Sequence, residues 1–111
     1  MAKKVIKNIT IDQGSTFSDT ITVTTDGSTA KNLTGYTTTS QFRKSYDSTT
    51  YTSFTTAQVD ATGVITLSLT ATQTTALKSG RYVYDVEISN SPEVLRVQEG
   101  IITVTPQVTK S

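Results

Sequence analysis

Cysteine and histidine are both missing from this chain of 111 residues. Disulfides, thiolate chemistry, imidazole metal ligands and the Ser-His-Asp and Cys-His forms of nucleophilic catalysis are thereby excluded. An excess of charge of one sign is missing too. Ten Lys and Arg stand against nine Asp and Glu, spread along the chain, which leaves no electrostatic footprint for nucleic acid or an anionic membrane. Long apolar runs are absent: the opening MAKKVIKNIT has lysines but no signal-peptide core, and no segment approaches membrane-spanning length. The expectation is a soluble protein made in the cytoplasm, without a signal peptide, and with no nucleic-acid or membrane partner.

What the chain does have is hydroxyl groups. Threonine and serine make up a third of it, a composition shared by mucin-like stalks and by threonine-rich sheets. Periodicity separates the two, because apolar residues here alternate through several runs, as strands with one wet face require. Such runs cover Lys4–Asp12, with Ile9 and Ile11 on one face, and Thr16–Thr25, with Phe17, Ile21 and Val23 on one face. Asp26-Gly27 is a strong turn pair after the second. Ala30–Leu33 reads as a short strand, Tyr36–Lys44 as a longer one carrying Tyr36, Thr38, Ser40 and Phe42 inward, and Tyr51–Phe54 as another short one. Val64–Leu69 follows, with Ile65, Leu67 and Leu69 inward. Thr70-Ala71-Thr72-Gln73 is a capping box, so one or two helical turns are expected over 70–78, with Leu77 touching the core and Gly80 as the stop.

The stretch GRYVYDVEISN, residues 80–90, sends Tyr82, Tyr84, Val86 and Ile88 to one side and Arg81, Val83, Asp85 and Glu87 to the other. Across the hairpin loop Asn90–Glu93, pairing sets Ile88 against Leu95, Val86 against Val97 and Glu87 against Arg96. An opposite-charge pair of that kind contributes only about 0.2–1 kcal/mol. The apolar face dominates the register, since a slip of one residue turns every tyrosine into water. Beyond Glu99 the inward parity changes from Leu95 and Val97 to Ile102 and Val104, and Gly100 sits at the switch, where a bulge would restore the facing. Pro106 closes the sheet and residues 107–111 form a short tail.

About seven short strands, with turn signals every eight to twelve residues or so and a helical crossover before the last hairpin, point to a single all-β domain over residues 1–111 with its core at about 4–106. It is expected to be an antiparallel immunoglobulin-like sandwich, with a small barrel as the competing architecture. Tyr82 or Tyr84 stands where a tyrosine corner is found.

Candidate sites are few. Asp85 and Glu87 share a strand face but lack a second converging pair and read as solvated charges. Asp12, Asp26, Asp47 and Asp60 sit at turns, where aspartate bonds the backbone. Glu99 falls on the inner face by parity, placing a carboxylate beside the bulge to bridge backbone amides or the Tyr84 hydroxyl. Asn8-Ile9-Thr10 and Asn32-Leu33-Thr34 match the glycosylation sequon by chance in so threonine-rich a chain. Tyr46 and Tyr51 flank a turn and are the residues expected to contact a partner. Lys3, Lys4 and Lys7 guard the first strand against indiscriminate pairing. No spacing brings a general acid and a base together, so no catalytic residue, metal or cofactor is expected.

Several stretches carry a resemblance: Gln13-Gly14-Ser15-Thr16-Phe17, Asn32-Leu33-Thr34-Gly35, Phe42–Thr50, Gly80–Ile88, and Glu99-Gly100 running to Val104-Thr105-Pro106-Gln107-Val108-Thr109. Together, over about residues 9–110, they resemble a family of small proteins of tailed bacteriophages and prophages. The short loop Asn90–Glu93 departs from that family in lacking glycine. The resemblance implies a non-enzymatic, immunoglobulin-like structural protein of the virion, made in the host cytoplasm and bound to other virion proteins in a symmetric assembly. Attachment in the tail, baseplate or fibre region leads, with capsid head decoration as one alternative. A carbohydrate-binding or adhesin module using Tyr46 and Tyr51 is the other.

Overall fold

The structure is a computed structural model that describes residues 4–25, 29–45, 47–90 and 93–107. Lys3, the Asp26-Gly27 turn, Tyr46, Ser91-Pro92 and the tail from Val108 lie outside the described residues. In chain order the elements are β1 (Val5–Ile6), β2 (Ile9–Asp12), β3 (Phe17–Thr22), β4 (Thr37–Arg43), β5 (Thr52–Ser53), β6 (Thr55–Val59), a 3-10 turn (Asp60–Thr62), β7 (Val64–Leu69), α1 (Ala71–Thr75), β8 (Gly80–Ser89) and β9 (Val94–Thr105). One sheet runs β1-β9-β8-β4-β5, with β2 also on β9, and the other runs β3-β7-β6.

Alternation builds the interior. From the first sheet Ile9, Ile11, Phe42, Tyr82, Tyr84, Val86, Ile88, Val97, Ile102 and Val104 are buried, and from the second Ile21, Ile65, Leu67 and Leu69. Phe54, between β5 and β6, is buried where the chain passes from one sheet to the other. Its ring lies 5.0 Å from Phe42 and 5.7 Å from Phe17, while Phe42 meets Tyr82 edge-on at 5.4 Å. This run of aromatic contacts links the two layers.

Tyr82 is the tyrosine corner: its hydroxyl donates to the Lys78 carbonyl at 2.8 Å, across the connection into β8. The fold is an immunoglobulin-like sandwich. In that scheme β9-β8-β4-β5 are strands G-F-C-C′ and β3-β7-β6 are B-E-D.

The helical crossover forms as the capping box requires. Thr70 Oγ1 accepts from the Gln73 amide at 3.2 Å, and Gln73 Oε1 accepts from the Thr70 amide at 2.8 Å. Behind it Thr74, fully buried, accepts from the Gly14 amide and donates to the Ser15 carbonyl. Gln13 Nε2 donates to the Leu77 carbonyl at 2.7 Å, and its Oε1 accepts from the Gln107 amide at 3.0 Å. The Gln13-Gly14-Ser15 turn thus holds the helix and the end of the last strand together.

Several expectations need correction. The first strand is parallel, not antiparallel: Val5 partners Gln98 and Ile9 partners Ile102. Ala30–Leu33 makes only an isolated bridge, Ala30 with Thr24, although Leu33 is fully buried. Tyr36 is half-buried rather than core, its hydroxyl donating to Glu93. Gly80 does not stop the helix, which ends at Ala76 in right-handed conformation; Gly80 opens β8 at φ 129 instead.

The parity switch in β9 is real but lies earlier than Gly100. Val86 partners Gln98 and Glu87 partners Arg96, so Val97 is the extra residue, and both Val97 and Gln98 turn inward. Glu99 therefore points outward, and the inner-face carboxylate expected there does not exist. Gln98 fills the buried polar position, its Nε2 donating to the Tyr84 hydroxyl at 3.0 Å. Gly100 has another reason to be glycine: a Cβ there would meet the Lys7 carbonyl oxygen at 2.1 Å. Close backbone approach of the first strand, not a bulge, demands it.

Candidate functional site

The residues alternating with the buried set of β4, β8 and β9 make up the outer face of the six-stranded sheet. Cross-strand partnering arranges them in three rows. Arg43, Val83 and Ile101 form one, Gln41, Asp85 and Glu99 the next, and Thr39, Glu87 and Arg96 the third. Ile6 extends the middle row at the β1 edge, and Ser53 extends it at the β5 edge. A groove of about 290 Å³ opens here, lined among others by Gln41, Arg43, Asp85, Glu87, Arg96 and Glu99.

Most of the charge on this face is neutralised within the chain. Arg96 reaches Asp85 at 3.6 Å and Glu99 at 3.3 Å, and Lys4 reaches Glu99 at 3.2 Å. The Lys4 ammonium, then the Arg96 guanidinium, hold the Glu99 carboxyl below the usual glutamate range, so it stays an anion. Arg96 in turn is pushed up, chiefly by its hydrogen bond to Glu99.

Arg43 is held differently. Its guanidinium donates to the Ser48 carbonyl at 2.6 Å and to Gln41 Oε1 at 3.2 Å, and it lies 4.9 Å over the Tyr51 ring. All three partners are neutral. Tyr51 itself is 54% exposed, and Ile101 and Ile6 are 40% and 73% exposed on the same sheet. A stacked Arg–Tyr pair, an apolar Val83–Ile101 pair and a ring of charges on a rigid sheet are the ingredients of a protein contact surface.

No family model and no curated protein sequence matches the chain. Among solved structures it is similar to the N-terminal Ig1-2 module of the Drosophila receptor protein tyrosine phosphatase DLAR, with 12% identity and a TM-score of 0.48. That alignment covers 95% of this chain and 48% of the other, so this chain spans about half its length.

Of the residues singled out from the sequence, Tyr51 lies on the outer face and Tyr46 lies outside the described residues. Tyr82 and Tyr84 are in the core, Glu99 is in the outer ion-pair network and Gly100 lies beneath the first strand. Glu87 partners Arg96 in register as expected, yet the Arg96 guanidinium turns to Asp85 and Glu99. Sequence reasoning missed Arg43 and the Val83–Ile101 pair, although the outward parity of β4 and β8 was the available signal. Among the described residues no group of three His, Cys, Asp or Glu is placed to hold a metal ion, and no helix is long and apolar enough to cross a membrane.

Proposed function

We propose that this chain is a non-enzymatic structural module of a tailed-phage virion that docks on neighbouring virion proteins through the outer face of the six-stranded sheet. Its place is in the tail, baseplate or fibre attachment region, ahead of capsid decoration. The observation that carries the docking face is the exposed Tyr51 ring with Arg43 stacked on it, beside Val83 and Ile101. Aromatic and arginine side chains held rigidly are the groups that concentrate binding energy at interfaces. Support for the virion assignment comes from the sequence resemblance. The motifs that carry it fall at welds of the fold, Gln13-Gly14-Ser15 against α1 and Gln107, and Glu99-Gly100 against Lys7 and Lys4.

The carbohydrate-binding alternative is less well supported, because the Arg43 guanidinium already covers one face of the Tyr51 ring that a sugar would stack on. Mass spectrometry of purified particles, separated into heads and tails, tests the proposal. The chain is expected as a constituent of the tail fraction. Its recovery only outside particles would sink the virion assignment, and its recovery on heads would move it to capsid decoration.

A further inference from the structure

We infer that the partner of this outer face is the same face of a second copy of the chain, related by a two-fold axis running along the Gln41–Asp85 row. The inference names an occupant for the docking face proposed above and rests on that reading.

It starts from the charges that are left over. Arg96, Asp85, Glu99 and Lys4 neutralise one another. Arg43 has neutral partners only, and Glu87 has no hydrogen bond or close ion pair among the described residues, its only opposite charge being Arg96 at longer range. Arg43 and Glu87 therefore remain beside the middle row without a close opposite charge, and Arg81 is a further exposed cation at the start of β8.

Their placement is symmetric. Gln41 and Asp85 are register partners on antiparallel strands, Arg43 lies two residues beyond Gln41, and Glu87 lies two residues beyond Asp85. Because β4 and β8 run in opposite directions, the two steps lead opposite ways, each by about 7 Å. A two-fold axis in the plane between two stacked sheets, along that middle row, exchanges the ends. Each Arg43 is then brought over the Glu87 of the other copy, offset sideways by one strand spacing of about 4.8 Å, which both side chains can span. Arg43 and Glu87 are complementary to their own copies under this operation, as a two-fold interface requires, while Asp85 and Glu99 on the axis row meet their own mates with their charge offset by Arg96 and Lys4. The same operation lays Val83 over Glu87, Ile101 over the Arg96 stem and the Arg43 stem over Thr39 of the other copy.

The area sets the strength. Three long strands, β4, β8 and β9, flanked by the two-residue strands β1 and β5, present a face of about 20 by 20 Å, roughly 400 Å² a side, about half of the ~800 Å² per partner typical of stable complexes. Self-pairing is accordingly weak in solution and becomes effective when copies are held side by side in an array.

Sedimentation equilibrium of the purified full chain up to millimolar concentration, at low and high salt, is the test. A reversible monomer–dimer equilibrium that weakens with salt is expected. Arg43→Glu and Glu87→Arg should each loosen it about tenfold or more, because each reversal acts twice in a symmetric dimer. The double variant R43E/E87R should regain the original affinity within about threefold, with the leftover pair restored in swapped form. Unchanged melting temperatures exclude misfolding. A strictly monomeric protein, a dimer indifferent to the single reversals, or a double variant no tighter than the singles would overturn the inference. If self-pairing fails while Arg43→Glu still removes the protein from particles, the docking face serves a different protein and the assembly reading stands. If self-pairing holds in a protein absent from particles, the assembly reading is the one that fails.

Discussion

The Tyr84 hydroxyl donates a 2.6 Å hydrogen bond to the backbone carbonyl of Lys7, across 77 residues of sequence. The same hydroxyl accepts from Gln98 Nε2, so the first strand, β8 and the bulge in β9 meet at one buried oxygen. Tyr84→Phe leaves the Lys7 carbonyl and the Gln98 amide without that partner and should cost about 1–3 kcal/mol. Urea unfolding reads this as a lower midpoint with an unchanged slope. Adding Gln98→Leu should cost less than the two single changes summed, because it removes one of the stranded groups.

Burial of that oxygen also sets the response to alkali. Desolvation, partly offset by the Gln98 hydrogen bond, pushes the Tyr84 hydroxyl up to about 12. The unfolded chain loses this proton near pH 10 and the folded chain near pH 12. The contribution is therefore complete below pH 10 and disappears as pH rises through 12, a loss of about 2–3 kcal/mol. Tyr82 is shifted the same way by burial and adds to the decline. Unfolding free energies measured from pH 9 to 12 should fall, and should fall less steeply in Tyr84→Phe.

Gly100→Ala tests the close approach of the first strand. Its Cβ would meet the Lys7 carbonyl oxygen at 2.1 Å, and a backbone atom cannot move aside as a flexible side chain can. A cost of about 1–3 kcal/mol is expected. Hydrogen exchange should quicken at the Lys7 amide, which bonds the Glu99 carbonyl, and at the Ile101 amide, which bonds Asn8 Oδ1.

Glu99→Gln should leave the melting temperature near that of the unaltered protein at neutral pH, because the carboxylate is held at the surface by Lys4 and Arg96. What the ion pairs contribute is present above the ordinary glutamate pKa and fades as pH falls below it. Gln98→Leu, one residue earlier and buried, should lower the melting temperature more. A reversed order would put the carboxylate back on the inner face.

The sandwich, its inward tyrosines, the helical crossover and its capping box were legible because each rests on local alternation or on a short motif. Residues 55–59 were not read as a strand, since TTAQV turns Thr56 and Gln58 inward and carries no apolar alternation. Gln58 instead binds the Tyr36 carbonyl and Thr38, joining β6 to the uncovered edge of β4, which only the folded geometry reveals. The bulge was foreseen but placed at the glycine. A glycine demanded by close approach and one demanded by a bulge look the same in sequence, and that displacement carried Glu99 to the wrong face. On the candidate site Tyr51 was legible, while the Arg43 stack and the leftover charge of Glu87 depend on which partners the other charged groups choose.

The docking face itself is tested most directly by measuring how much protein enters purified particles when the outer surface alone is altered. Arg43→Glu and Ile101→Asp change exposed or half-buried outward positions and should leave the melting temperature nearly unchanged. Quantitative mass spectrometry of particles carrying either variant should show strong depletion, with the unaltered chain present in fixed copy number. Variants that fold normally and enter particles at the unaltered level would show that the Arg43, Val83 and Ile101 surface is not where this protein docks.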